Sequence, residues 1–492
     1  MELAAELRRA LAGVCSVGKP EVRENGEWLA GLDGVQYEVS AQGEAALLHL
    51  WSAQQSLVRR VLRVAEESRD RVVLEVSRFG YSRNAQLEFI GNSAPRDARR
   101  VDREQFSGRL RRILTDHFPD ETVESLATSA DLHHSLSGSY TRGLVRRGSE
   151  AFAVLGASPN EDGATIDGIL TFGLIWLQQT RDRARRYSVH GLRLFLPRGK
   201  SSITAHRMAA LAAPHEVELY EYEPPYWRVR RIARSNAGNL ATRIAPRREI
   251  EQAIAAAMPL AERIQRLSPE AIRVGVGPAT QEVTLRFRGM EFARWRQGAM
   301  WYGLADRQDA LTPEKWPALE ALVRQLETNR QPLASDTRHR FYRAQPERWL
   351  ETMVAADPAR IDARLDSRHM YAQVPAFSSG DRGIIDLLGV TRDGRLAVLE
   401  LKASEDIHLV MQAVDYWLRV RFHHDQDDFS RYGYFPEVRL KPKPPLLFLV
   451  APGFRFHPSM DIVLRYLSPE IEIARIALAE NWRRGLRVVF RQ

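Results

Sequence analysis

Gly383-Ile384-Ile385-Asp386-Leu387-Leu388-Gly389-Val390-Thr391-Arg392-Asp393-Gly394-Arg395-Leu396-Ala397-Val398-Leu399-Glu400-Leu401-Lys402 is the stretch that orders the rest of the chain. Two apolar runs flank Thr391-Arg392-Asp393-Gly394, and Asp-Gly between β-rich runs marks a hairpin. Both runs are apolar nearly throughout, as strands covered on both faces are. They nevertheless carry Asp386, Glu400 and Lys402, and charges there are costly unless paired or bound to a metal. Across the hairpin Asp386 falls nearly opposite Glu400, and Lys402 follows two residues later on Glu400's face. Two carboxylates and an amine therefore converge.

Such a cluster suits metal-assisted hydrolysis. Mg²⁺ takes near-octahedral oxygen ligation from one or two carboxylates, with water and substrate phosphate completing the shell. Asp386 and Glu400 can supply the carboxylates and the Leu401 carbonyl a further oxygen. Lys402 would hold or deprotonate the attacking water, or stabilise charge on the phosphate. The same residues also read as a buried salt bridge that neutralises two stray acids, and Asp…Glu-x-Lys alone is too common to choose.

The flanks add context. Pro346–Val354 starts a helix with Pro in its first turn, Asp357-Pro358 follows, and a second short helical stretch runs to about Leu365. Ile407–Arg421 has helical periodicity and sets Gln412 and Tyr416 one turn apart on one face. Pro445–Val450 reads as a late strand. With these parts in order, residues 340–455 resemble the PD-(D/E)XK nuclease superfamily. Gln412-x-x-x-Tyr416 is similar to the RecB-type element. The run Glu351, Asp357-Pro358, Gln373-Val374, Asp386, Glu400-Leu401-Lys402, Gln412, Tyr416 most closely resembles archaeal NucS-type endonucleases. The resemblance implies a restriction-endonuclease-like αβββαβ core. Asp386, Glu400 and Leu401 would be ligands of Mg²⁺ or Mn²⁺, and Lys402 the catalytic lysine. Gln412 and Tyr416 would steady the site and touch the nucleic-acid backbone. Glu351, or else Glu347, would be the helical acid that reaches the metal through water. The hairpin opens Gly-Ile-Ile-Asp instead of Pro-Asp, a departure that many members share.

At 492 residues the chain has room for about three domains with proper cores. The expected class is α/β (α+β, multi-domain). Expected divisions are an α+β module over 1–95, an α/β domain over 96–265, a small hairpin-plus-helix module with connector over 266–335, and the nuclease-like domain over 336–492. The connector is Gln331-Pro332-Leu333-Ala334-Ser335. A 44% hydrophobic and 27% charged composition excludes wholesale disorder. Lys+Arg 71 against Asp+Glu 62 gives +9, which suits phosphate-rich partners without establishing one. The single Cys15 excludes an intramolecular disulfide framework and cysteine-ligated zinc or iron–sulfur sites. No apolar run reaches transmembrane length, and Met1–Arg8 is amphipathic and mixed in charge, so a cytoplasmic protein without a membrane partner is expected. No Gly-rich phosphate loop signals an ATPase or helicase engine.

Elsewhere, residues 1–95 read as a start helix, strands near Gly34–Val39 and Val72–Val76, and a helix Ala46–Glu67. Residues 104–200 echo the C-terminal order: a helix Glu104–Phe118, a second helix to about Ala127, strands at Tyr140–Val145 and Ala151–Ser158, a helix around Ile175-Trp176-Leu177, and a strand Gly191–Leu196. Gly156 then stands near the place of Glu400 and no acid replaces Asp386, which describes a degenerate copy of the nuclease core. Recurrence of a common element order by chance is the alternative. Arginine-rich stretches with aromatics at 181–187, 226–231 and 286–296 would present Arg228, Arg230, Arg286, Arg288, Arg294 and Trp295 to phosphates and bases. Residues 282–304 read as a two-stranded hairpin, followed by a helix Pro313–Asn329. His423-His424-Asp425-Gln426-Asp427-Asp428 reads as a solvated loop, since adjacent residues point apart.

The function expected from these readings is a divalent-metal-dependent nuclease, more readily an endonuclease acting on DNA in repair, restriction or defence. The alternative is an inactive nucleic-acid-binding or scaffold protein that kept the fold. The amino-terminal region is left as a surface for a homodimer or protein partners.

Overall fold

Ala4, Leu7, Leu11 and Val14 recur every three or four residues and are buried, so Glu2–Val17 forms a helix, α1, with one apolar face. That face covers an antiparallel sheet of β1 (Glu21–Glu24), β2 (Glu27–Gly31), β3 (Gln36–Gln42), β4 (Ala45–Trp51), β5 (Ser56–Glu67), β6 (Arg71–Ser77) and β7 (Ala85–Ile90), in the order β2-β1-β7-β6-β5-β4-β3. The computed structural model describes residues 2–492 except 18–19, 25–26, 32–35, 43–44, 52–55, 69–70, 78–84, 91–92, 130–135, 137, 234–242, 277–281, 305–306 and 379–380. The expected helix Ala46–Glu67 is instead the hairpin β4–β5. Val61 and Val64 are spaced for a helix, but their β-branched side chains suit a pleated surface, and pairing on both sides of β5 decides.

The chain forms two compact units, one of residues 1–102 with 326–346 and one of 103–325 with 347–492. The expected four-way division therefore groups differently. The connector at 331–335 lies in the first unit, and the other three segments contribute to one second unit. The whole is a mixed α/β multi-domain chain, and no helix among the described residues is long and apolar enough to cross a membrane.

α2 (Ser93–His117) leads into the second unit's first sheet: β8 (Thr122–Ala127), β9 (Tyr140–Arg147), β10 (Glu150–Ala157), then α3 (Gly163–Asp167), α4 (Ile169–Arg183), β11 (Ser188–Pro197), α5 (Ser202–Met208), β12 (Val217–Glu223) and β13 (Arg228–Arg231). The second helix expected before Ala127 is the strand β8, since Thr122 and Val123 pair with β9. After β14 (Arg243–Ile244) and α6 (Arg247–Gln265) comes an antiparallel five-stranded sheet of β15 (Ile272–Val276), β16 (Val283–Phe287), β17 (Met290–Arg296), β18 (Ala299–Leu304) and β19 (Arg307–Ala310), where a two-stranded hairpin was expected. α7 (Trp316–Asn329) and α8 (Arg340–Arg343) precede α9 (Pro346–Ala356). Then follow β20 (Leu365–Ser378), β21 (Asp381–Thr391), β22 (Leu396–Leu401), α10 (Leu409–Asp425), α11 (Asp428–Arg431), β23 (Leu446–Pro452), α12 (Met460–Arg465), β24 (Ile473–Leu478) and β25 (Val488–Arg491). The short helical stretch expected up to Leu365 is one 3₁₀ turn, Pro358–Arg360.

The sheets β8–β13 and β20–β25 share one topology. In each, the first three strands are antiparallel neighbours, the third and fourth are parallel across a helical crossover, the fourth and fifth are again parallel, and the sixth returns antiparallel. β14 adds only an outer strand beside β20. A single apolar core runs between the two sheets through α4, α5, α10 and α12, and includes Leu170, Leu174, Val410, Val414, Val463 and Leu467.

Candidate active site

The β21–β22 hairpin turns at Thr391, whose N–H donates to the Arg395 carbonyl at 2.8 Å. Gly394 has φ +90°, and a Cβ there would lie 2.3 Å from the Arg439 carbonyl oxygen, so the turn requires glycine. This hairpin sets Asp386 beside Glu400. The Leu401 N–H donates to Asp386 Oδ2 at 3.2 Å. Lys402 Nζ lies 3.4 Å from Glu400 Oε1 and 3.5 Å from Asp406 Oδ2.

Charge balance here is incomplete. Glu400 is 2% exposed, and its Oε2 is buried with no hydrogen-bond partner. Burial, with Asp386's like charge added, pushes the Glu400 carboxyl well above its ordinary range against the pull of Lys402. Burial likewise raises Asp386, opposed by Arg348, Lys402 and the Leu401 N–H. At Lys402 burial acts to lower the pKa, but Glu400, Glu347, Asp406 and Asp386 outweigh it and hold the amine protonated.

α9 contributes three residues over one turn. Arg348 Nη1 donates to Glu351 Oε2 at 2.7 Å and lies 3.6 Å from Asp386 Oδ1. Gln373 donates to the same Glu351 oxygen at 2.6 Å. Burial pushes Glu351 up to about 8. Glu347 is raised by burial too. It feels Lys402 and Asp386 and accepts from the Ala403 N–H, so it stands nearer the amine than Glu351 does. From α10, Gln412 Oε1 is buried without a hydrogen-bond partner. The Tyr416 phenol is raised by burial and by the charges of Glu400 and Asp386. The fold thus collects Asp386, Glu400, Leu401, Lys402, Gln412, Tyr416, Glu351 and Glu347 around one place. Sequence reasoning missed Arg348 and Asp406, and quoted Gln373 in the resemblance without giving it a role. Of the two missed, only Arg348 had a signal, lying between Glu347 and Glu351 on the same helix.

The expected nucleic-acid residues separate. Arg286 on β16 is half-buried and feels Glu351 and Arg348 of α9, so it belongs beside the acid cluster. Arg288 (φ +43°) and Gly289 (φ +82°) form a tight turn laid on α9, where a Gly289 Cβ would meet the Arg348 carbonyl oxygen at 2.0 Å. Arg294 is held by Glu282 and Glu291, each at 2.7 Å, and Trp295 is half-buried. These four do not make the expected arginine face. Arg230 is exposed but donates to Glu221 at 2.9 Å. Arg228 is exposed on the edge strand β13, its guanidinium over Tyr226, which is 78% exposed. The His423–Asp428 run is not a solvated loop: His423 and His424 end α10, and buried His423 bonds Asp428 at 2.7 Å.

The same register identifies the matching place in the middle sheet. Leu401 pairs with Val450 on the parallel neighbour, as Gly156 pairs with Phe195. Both Val450 and Phe195 lie two residues before the proline that ends the strand. Gly156 therefore matches Leu401, Leu155 matches Glu400 and Ala157 matches Lys402. Through the antiparallel partner, Arg142 matches Asp386. The expected match of Gly156 with Glu400 is one residue out, which in a strand means the wrong face. By their shared burial pattern α4 and α10 match Phe172 with Gln412 and Trp176 with Tyr416. Arg142 lies over the Trp176 ring and donates to the Ser129 carbonyl.

Among the described residues no three His, Cys, Asp or Glu side chains are grouped so as to hold a metal ion by themselves. No protein-family model and no curated protein sequence matches this chain, so the chemistry of the site rests on its own residues.

Proposed function

We propose that this chain is a divalent-metal-dependent nuclease that hydrolyses phosphodiester bonds of DNA at the Asp386–Glu400–Lys402 cluster. The observation that carries the reading is Glu400 Oε2, a carboxyl oxygen sealed from water and left without a hydrogen-bond partner. Such an atom is costly in a folded protein unless a cation belongs there. Asp386, Glu400 and the Leu401 carbonyl offer the oxygen-only donor set that suits Mg²⁺ or Mn²⁺, with remaining positions left to water and phosphate. When bound, the ion supplies Lewis acidity and a water of lowered pKa. Lys402, kept as an ammonium by four carboxylates, serves to bind the phosphate and stabilise its added charge instead of acting as the base. Glu347 is placed to receive a proton. Gln412 and Tyr416 orient the carboxylates from α10, and Arg348 steadies Asp386. The α9-β20-β21-β22-α10-β23 order also supports the likeness to the PD-(D/E)XK core.

A second reading, a nucleic-acid-binding scaffold with a retained fold, is favoured by one observation: among the described residues no three His, Cys, Asp or Glu side chains are grouped so as to hold a metal ion. Incubation with single-stranded, duplex and branched DNA in Mg²⁺, Mn²⁺ or EDTA, beside Glu400→Ala, separates the two. Metal-dependent cutting lost in the variant is expected. Equal binding by both proteins without cutting would leave the scaffold.

A further inference from the structure

The middle and C-terminal sheets meet about a local two-fold axis. Leu211 and Leu467 form an antiparallel bridge, each just past the helix that follows the fourth strand of its sheet. Ala212 N–H donates to the Tyr466 carbonyl at 2.9 Å, and Ser468 N–H to the Ala210 carbonyl at 2.8 Å. Ala210 and Ala212 flank Leu211 as Tyr466 and Ser468 flank Leu467, so each bond is the image of the other. The helices obey the same symmetry: α4 packs on α12, and its counterpart α10 packs on α5. This is the self-complementary contact of a two-fold dimer, built within one chain.

The axis also brings the matched centres together. His408 begins α10 one turn before Gln412, and Gly168 begins α4 one turn before Phe172. A Cβ on Gly168 would lie 2.8 Å from His408 Cε1, and the His408 and Phe172 rings stand 5.6 Å apart. The starts of α10 and α4, which carry Gln412 and Phe172 of the two matched centres, therefore meet. Among the described residues the middle repeat's matched positions, Arg142, Leu155, Ala157, Phe172 and Trp176, offer no carboxylate for a cation, and Arg142 puts a fixed positive charge where Asp386's counterpart would be.

Resting on the nuclease reading above, we propose that the substrate is duplex DNA and that the enzyme cuts one strand per binding event. Duplex DNA has local two-fold axes relating its antiparallel strands, and two-fold proteins align with them. Here one strand would meet Asp386, Glu400 and Lys402, and the other would lie against the middle repeat, whose matched residues Leu155 and Ala157 are buried and carry no chemistry. In the cut strand water adds to phosphorus and one P–O ester bond breaks. The products are a phosphate monoester and a hydroxyl: the departing oxygen is protonated and the water's proton passes to a base.

The test is the first product from a supercoiled plasmid treated with the full chain and Mn²⁺. Open circles should accumulate first, with linear DNA arising only later from independent second hits. Linear DNA appearing from the outset alongside open circles would overturn the single-strand inference while leaving the nuclease reading intact. No conversion of plasmid, with single-stranded DNA left uncut as well, would overturn both. Cutting of single-stranded DNA alone would remove the duplex assignment. Independently of activity, calorimetric Mn²⁺ binding should vanish in the double variant Asp386→Asn/Glu400→Gln, and binding retained there would reveal a second centre and overturn the inference.

Discussion

The two six-stranded repeats of the second unit carry the same strand order around opposite interiors. At matched positions one has Asp386, Glu400 and Lys402, and the other Arg142, Leu155 and Ala157. Where α9 brings Glu347 and Glu351 towards its sheet, α2 lays Phe106 and Leu110 on Gly156. A Cβ at Gly156 would fall 2.9 Å from Leu110 and 3.1 Å from Phe106. The backbone therefore does not need the charged set. It tolerates that set at a cost in desolvation, whereas the middle repeat spends the same space on apolar contact.

The comparison breaks most sharply at the carboxylates. Asp386→Asn should lower DNA cleavage by on the order of 10³-fold, read as initial rates in Mn²⁺; retained cutting would move the active centre elsewhere. In the middle repeat, Phe106→Ala should cost about 3–5 kcal/mol in urea unfolding, since Phe106 packs in a sealed cluster with Leu110, Tyr222 and Val154. Importing the middle repeat's choice, Glu400→Leu should remove cleavage and raise stability by about 1–3 kcal/mol, because a buried, under-neutralised acid becomes a hydrocarbon. A less stable variant would show that Glu400 is already well paired.

Glu351 gives a pH signature in the metal-free protein. Its folded pKa, about 8, lies above the ordinary 4.5. The stabilisation is full below 4.5, where both states are protonated. It is lost as pH rises to about 8, because the unfolded chain ionises first. With EDTA present, the urea midpoint should therefore fall more between pH 5 and 8 in the wild type than in Glu351→Gln. Parallel curves would place Glu351 outside the buried network. The smallest effect is expected at the repeat's outer edge: Arg228→Ala should reduce the slope of log affinity against log salt by about 1, from the loss of one phosphate contact.

The hairpin, its turn and the helix bearing Gln412 and Tyr416 were legible because each is local: an Asp-Gly turn between apolar strands, then a periodic helix. The repeat's existence was legible from element order, but not its register. Ala153-Val154-Leu155 and Ala397-Val398-Leu399 match by letter, yet the pairing partners across the sheet place Leu155 with Glu400, and strand neighbours cannot be read from one strand. Arg348, and the bond that gives the already noted Gln373 its role, were hidden because Glu351 collects them from a helix and a distant strand. The arginine face failed for a related reason: Glu282 and Glu221 come from other strands to neutralise Arg294 and Arg230.

The reciprocal Leu211–Leu467 bridge has a further consequence. Two halves joined by one polypeptide meet at a concentration set by the tether, whatever the dilution. Dissociation on the scale of separate subunits is closed to them, so a rate measured per chain should stay constant from micromolar to picomolar protein, where a two-subunit enzyme would fall apart and fade.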